Sequence, residues 1–229
     1  MTFLIPPPPT PSIAVAGSDA RFAVRRIFCV ARNYAAHARE MGADPDKELP
    51  FFFTKPADAV VDSGSTIAYP PETNDYQHEV ELVVALAKGG ANIATEDALS
   101  HIAGYAVGLD MTRRDLQAEA KGKGRPWDWA KGFDNSAPMS ALLPVEQSGH
   151  PQSGRIWLAV DGEVRQQGDL SDMIWPVADI IALISRYVEL KPGDLIMTGT
   201  PEGVSAVQAG QVITGGVDGI GEISLTIAP

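Results

Sequence analysis

Glycine and proline interrupt this chain throughout, 22 and 18 of them in 229 residues, and that punctuation limits its fold more than any other feature. Proline lacks a backbone donor and fixes φ, while glycine adds entropy to the unfolded chain, so regular elements tend to stop at both. What lies between the breaks is short and mostly strand-like. SIAVAG, RRIFCVARN, PFFFTKP, AVGLDMT, DLIMTGTP and GEISLTI read as strands, and RIWLAVDGEVRQQG as a hairpin turning at Asp161-Gly162. Helical spacing is confined to four segments. These are YAAHAREMG, stopped by Gly42; ATEDALSHIAGY, with Thr95 as N-cap; RDLQAEAKGKG; and PVADIIALISRYVEL, which ends before Lys191-Pro192-Gly193. PPPPTP is a stiff polyproline-type arm, and ADPDKELP a polar loop with the flexibility of a lid. The pattern predicts an α+β, β-rich fold with a few short helices, not a βαβ parallel sheet. Neither a repeat nor a linker divides it, so one domain over residues 1–229 is the simplest organisation, with 1–11 as a proline-rich arm.

The formal charge of −11 leaves no electrostatic footprint for nucleic acid or an anionic membrane, and no Lys/Arg cluster offsets it. An anionic small substrate stays open, because a bound divalent cation reverses the local field. Cys29 is the one cysteine, so there is no intrachain disulfide, and in the apolar run IFCV it reads as a small buried hydrophobe. MTFLIPPPPT lacks the marks of a signal peptide and no apolar stretch reaches membrane-spanning length, so a cytoplasmic location is expected.

YQHEVELVV carries the first chemical signal. Val80, Leu82 and Val84 alternate with Glu79 and Glu81, which puts two carboxylates on one strand face within reach of each other. Either both are solvated or both hold a cation. Asp110, which ends a short apolar strand in AVGLDMTRRD, is a candidate third ligand. Three carboxylates without a thiolate select Mg²⁺, Mn²⁺ or Ca²⁺ over Zn²⁺. His37 and Glu40 stand three apart on one helix face, either as a surface pair or as a carboxylate-oriented base that activates water. Lys131, in the Trp-rich, glycine-punctuated loop WAKGFD, is a surface lysine or a placed cation. Gln117 is a surface amide or an oxyanion donor. TGTPEGV is a polar turn able to hold a carboxylate and lacks the P-loop pattern, and GGVDGIGE has no following helix to make a dinucleotide site.

Taken in order, CVARNYAAHAREMG, HEVELVVAL, GYAVGLDMTRRDLQ, GRPWDWAKGFDNSAP and GDLIMTGTPEGV resemble the fumarylacetoacetate hydrolase family over about residues 12 to 228. The likeness is greatest to its short acylpyruvate hydrolases, and among these to the fumarylpyruvate hydrolases of gentisate breakdown. The resemblance implies a mixed β-roll with a few short helices, usually assembled as a homodimer. It implies Glu79, Glu81 and Asp110 as metal ligands and His37, Glu40, Gln117 and Lys131 as catalytic residues. Arg32, Arg114 and Thr200 match positions that line the family's substrate site. The implied activity is metal-dependent hydrolysis of the carbon–carbon bond of a 2,4-dioxo acid. Oxaloacetate decarboxylation or tautomerisation is the alternative with the same parts. A fumaryl group would bring a second carboxylate for Arg32, Arg113 or Arg114. One departure from the family pattern is Ser205, where glycine is expected. A metal-stabilised binding protein without catalysis would have no use for His37, Glu40 and Lys131 at those positions.

Overall fold

In the computed structural model, which describes residues 2–40, 42 and 49–229, strands dominate and no helix exceeds the 11 residues of Val177–Tyr187. Most of the predicted lid loop, residues 43–48, lies outside the described residues. Eight strands form the larger sheet. Its main path runs Phe51–Lys55, Arg26–Ala31, Asp194–Met197, Val80–Leu86, Ile102–Leu109, Ala137–Met139, Val60–Asp62, with Leu143–Pro144 also pairing with Ile102–Leu109. Asp194–Met197 lies parallel to Arg26–Ala31 and antiparallel to Val80–Leu86, so the sheet is mixed. A second sheet of five strands runs Glu163–Asp169, Arg155–Val160, Val212–Val217, Gly221–Ile227, Ser65–Ile67. The predicted hairpin is present, and Asp161 (φ 50°) and Gly162 (φ 82°) both take the left-handed conformation that its tight turn requires.

Val80–Leu86 runs through the middle of the larger sheet and is buried at every position. Val80, Leu82, Val84 and Leu86 enter the main core, together with Ile156, Leu158, Ile213 and Ile223 of the second sheet. Val83 and Ala85 on the opposite face join a smaller cluster with Ile27, Cys29, Leu195 and Met197. Cys29 is buried there, and burial pushes its thiol well above the usual range. The Val177–Tyr187 helix presents Val177, Ile180, Ile181 and Ile184 to the main core, at the spacing its sequence predicts. One predicted helix is cut short. Thr95–Ala98 is a single helical turn with Ala94 at its N-cap, followed by a 3₁₀ turn over Leu99–His101, and Ile102 already begins a strand. Ile102 and Tyr105 enter the main core from that strand, where pairing with Val80–Leu86 outweighs the local helical pattern.

Candidate active site

The ladder between Val80–Leu86 and Ile102–Leu109 brings the three acids together. It pairs Val80 with Leu109 and Glu81 with Gly108, and Asp110 N donates to Glu79 O at 2.8 Å, so Glu79 and Asp110 face each other where the strands end. Cross-strand partners share a face, as do residues two apart, so Glu79, Glu81 and Asp110 project together. One oxygen from each lies within 4.8 Å of the others. All three are buried, with Glu79 5%, Glu81 2% and Asp110 1% exposed, which excludes the solvated reading of the strand's acidic face.

Three carboxylates withdrawn from water cost several kcal/mol each unless compensated. Lys131 Nζ donates to Glu79 Oε2 (2.9 Å), Asp110 Oδ2 (2.8 Å) and Thr112 Oγ1 (2.6 Å). Burial lowers the affinity of this amine for its proton, but Asp110 and Glu79 outweigh that and raise its pKa. Arg114 Nη2 donates to Glu79 Oε1. Burial alone would raise the Glu79 pKa, and the charges of Lys131 and Arg114 overcome it, holding the carboxyl well below its usual range. Glu81 differs. Burial and the charges of Asp110 and Glu79 push its pKa well up, and the Gly199 N–H, 2.6 Å from Oε2, offsets only part of this. Gly199 has φ 97°, and a Cβ there would lie 2.7 Å from Asn33 Cβ, so this N–H approaches through glycine alone. Lys55 Nζ is 2.9 Å from Asp110 Oδ1, yet that oxygen is buried without a geometrically sound hydrogen bond among the described residues. An oxygen-only set of three convergent buried acids, one of them pushed toward its protonated form by its neighbours, fits a hard divalent cation.

Above the acids lies an open cavity lined by Arg32, His37, Arg114, Gln117, Lys131 and Thr200 among others. His37, on the short helix Ala35–Glu40, donates from Nδ1 to Glu40 Oε2 at 3.1 Å. A carboxylate only accepts, so in the neutral ring Nε2 keeps its lone pair. Glu40 Oε1 in turn accepts from Gly203 N at 3.3 Å, tying this helix to the TGTPEGV turn. Gln117 Oε1 accepts from Arg114 Nη1 at 2.6 Å, which leaves the Gln117 amide NH₂ as the donor end. Thr200 Oγ1 accepts from Gln166 Nε2 at 2.8 Å and keeps its own O–H proton for another acceptor. Arg32 sits at φ 60°, a conformation that costs a non-glycine residue about 1 kcal/mol or more, with its guanidinium 5.4 Å from the Phe51 ring centroid. The ten residues to which the resemblance assigns metal-binding, catalytic or substrate-binding positions therefore lie at or beside one cavity, whereas Arg113 does not line it. Lys131 lies in a short helix, Asp128–Lys131, and not in a loop.

Sequence reasoning missed Lys55, Thr112 and Gln166. Lys55 and Thr112 follow no periodic pattern, and their burial beside Asp110 is settled only by pairing across the sheet. Gln166 is fully buried and accepts from Val80 N at 3.1 Å while donating to Pro201 O and Thr200 Oγ1. It also accepts from His78 Nδ1 at 2.9 Å, and Ser205 Oγ lies 3.0 Å from His78 Nε2. Burial lowers the His78 pKa, in keeping with a neutral ring that donates at Nδ1 and accepts from the Ser205 hydroxyl at Nε2. Ser205 thus completes a polar chain that runs through His78 and Gln166 to Thr200. Gln166→Leu should lower stability by about 3 kcal/mol or more, since several buried partners lose their bonds together. Urea denaturation measures this, and a variant as stable as the parent would show the network to be incidental.

Residues 26–228 match the family described as fumarylacetoacetate (FAA) hydrolase C-terminal. A fumarylpyruvate hydrolase from Ralstonia sp is 49% identical over 191 residues, covering 82% of this chain and 99% of the relative. A mitochondrial oxaloacetate tautomerase from Arabidopsis thaliana is 45% identical over 202 residues, covering 88% of this chain and 90% of that one. The crystal structure of a fumarylpyruvate hydrolase from Pseudomonas aeruginosa in complex with Mn²⁺ and pyruvate superposes with a TM-score of 0.97 at 54% identity, covering 99% of both chains. With a match over nearly its whole length, and with the resembling motifs gathered around one buried acidic cluster, the chain belongs to the fumarylacetoacetate hydrolase family.

Proposed function

We propose that this protein is a divalent-metal-dependent hydrolase that cleaves an acylpyruvate, with fumarylpyruvate giving fumarate and pyruvate as the favoured reaction. The observation that carries this reading is the placement of the His37–Glu40 pair and the Gln117 amide on one cavity with three convergent buried acids. Glu79, Glu81 and Asp110 are the residues that would hold the cation, Mg²⁺ or Mn²⁺, with Ca²⁺ able to take the same oxygen ligands. When bound, the cation supplies Lewis-acid stabilisation at the 2-oxo acid end of the substrate.

The chain's own residues account for the rest of the chemistry. His37, held by Glu40, takes a proton from water at Nε2 as that water adds to the 4-carbonyl carbon. The Gln117 NH₂ donates to the oxygen of that carbonyl as it gains charge. The bond between C3 and C4 then breaks, its electron pair passing to the pyruvate enolate, and Lys131 contributes positive charge at that end. Thr200 and Arg32 hold the substrate's carboxylate end, and Arg114 aligns Glu79 and Gln117. Gln117→Ala should lower kcat about a hundredfold, equivalent to about 3 kcal/mol for one such donor, and leave metal affinity unchanged. Wild-type turnover by that variant would remove the role.

The deciding assay follows loss of the enol absorbance of fumarylpyruvate, maleylpyruvate, acetylpyruvate and oxaloacetate, with and without EDTA. EDTA-sensitive cleavage of a 2,4-dioxo acid is expected, and a panel in which oxaloacetate alone reacts would overturn the reading. The tautomerase relative favours oxaloacetate decarboxylation or tautomerisation as the second reading, since it matches 88% of this chain. None of the described helices is long and apolar enough to cross a membrane. The reading further takes the protein as a cytoplasmic homodimer of one catalytic domain acting in gentisate breakdown, and analytical ultracentrifugation tests the dimer.

A further inference from the structure

Helix Arg114–Gly122 lines one wall of the cavity with Arg114, Gln117 and Lys121. Spacings of three and four place them on one face, stepping along the helix from the acid cluster by about 4.5 Å and then about 6 Å. The innermost, Arg114, has every nitrogen engaged with the protein. Nε donates to Gln77 Oε1 at 2.8 Å, Nη1 to Gln117 at 2.6 Å, and Nη2 to Glu79. Arg113 does not line the cavity, and its guanidinium carbon lies 4.3 Å from the Phe133 ring centroid. Lys121 does line it, on an exposed turn of the helix, and among the described residues no carboxylate pairs with its ammonium.

Given the acylpyruvate reading above, the geometry points to Lys121 as the residue that receives a second carboxylate at the far end of the acyl group. It would make this chain selective for dicarboxylate 2,4-dioxo acids. Length supports the assignment. In fumarylpyruvate the distal carboxyl carbon lies about 4 Å beyond the cleaved carbonyl carbon at ordinary bond lengths. Gln117 is assigned to that carbonyl, and Lys121 stands one helical turn further from the acids, its flexible stem spanning the difference. An acetyl group ends before reaching it. Charge supports it as well: a chain of net charge −11 repels a dianion, so a cation at this wall offsets an unfavourable field.

The test measures binding of fumarylpyruvate and acetylpyruvate by calorimetry to Mn²⁺-loaded protein carrying His37→Ala to stop turnover. Lys121→Met should weaken fumarylpyruvate about tenfold or more relative to acetylpyruvate, as expected for a lost charge-assisted contact, and Lys121→Arg should restore most of it. An equal change for both ligands overturns the assignment, as does no change. So does a parallel Arg32→Met variant that alone carries the selective loss. Failure of the acylpyruvate reading is distinguishable, because then neither dioxo acid binds even with Lys121 intact.

Discussion

Glu81→Gln is expected to abolish the stabilisation that a divalent cation confers while leaving the metal-free fold as stable as before. In the metal-free protein, burial and the charges of Asp110 and Glu79 already push the Glu81 carboxyl well up toward its neutral form. Glutamine reproduces that neutral form and still accepts from Gly199 N–H, the contact made at 2.6 Å by the parent side chain. The cation, by contrast, loses one of three anionic ligands. Its affinity should fall at least about a hundredfold, the upper end of what even outer-sphere partners contribute. At a metal concentration about a hundred times the parent Kd, binding stabilises the parent by about 2.7 kcal/mol. For a chain of this size that is a rise in Tm of about 5 to 10 °C. Thermal melts with and without Mn²⁺ read both quantities. If the variant shows the parent's metal-induced rise, Glu81 is not a ligand. Hydrolysis should disappear along with the rise.

The second large effect separates two chemistries that share a site. His37→Ala should lower acylpyruvate hydrolysis by about 10²- to 10⁴-fold, the range for a positioned general base. Decarboxylation of oxaloacetate needs no attacking water, so the same variant should keep most of that activity. Glu40→Gln is expected to act in the same direction with a smaller loss, because the Nδ1–H of His37 can still donate to an amide oxygen. Assaying both reactions on one preparation gives the answer. Parallel loss of the two activities would falsify the role of His37 in activating water, and would move the assignment toward oxaloacetate chemistry.

Much of this site is legible in the sequence. The alternation in YQHEVELVV already placed Glu79 and Glu81 on one face, since the period of a strand is two whatever it packs against. The Asp161-Gly162 turn and the Val177–Tyr187 helix were equally local, each dictated by backbone conformation or spacing within a dozen residues. The motifs carried a family resemblance because they occur in one order along the chain. The helix expected through Ile102 failed for the converse reason: its local pattern was overridden by a partner strand some 20 residues away in sequence.

Residue types and their order, then, determined which chemistry this chain has available: an oxygen-ligand cluster, a histidine with its carboxylate, an amide donor and a lysine. Tertiary structure decided how those groups are charged and aimed. Antiparallel pairing of Val80 with Leu109 sets Asp110 against Glu79, and the TGTPEGV turn brings the Gly199 N–H to Glu81. Lys131 enters between Glu79 and Asp110 from a helix that begins 18 residues beyond Asp110. Coulomb interactions in a buried site depend on distance and on exclusion of water, and neither is a property of one segment. The strand whose alternation left its acidic face open to either solvent or a cation is, in the folded protein, buried on both sides, with Lys131 and Arg114 compensating Glu79 and the Gly199 N–H holding Glu81.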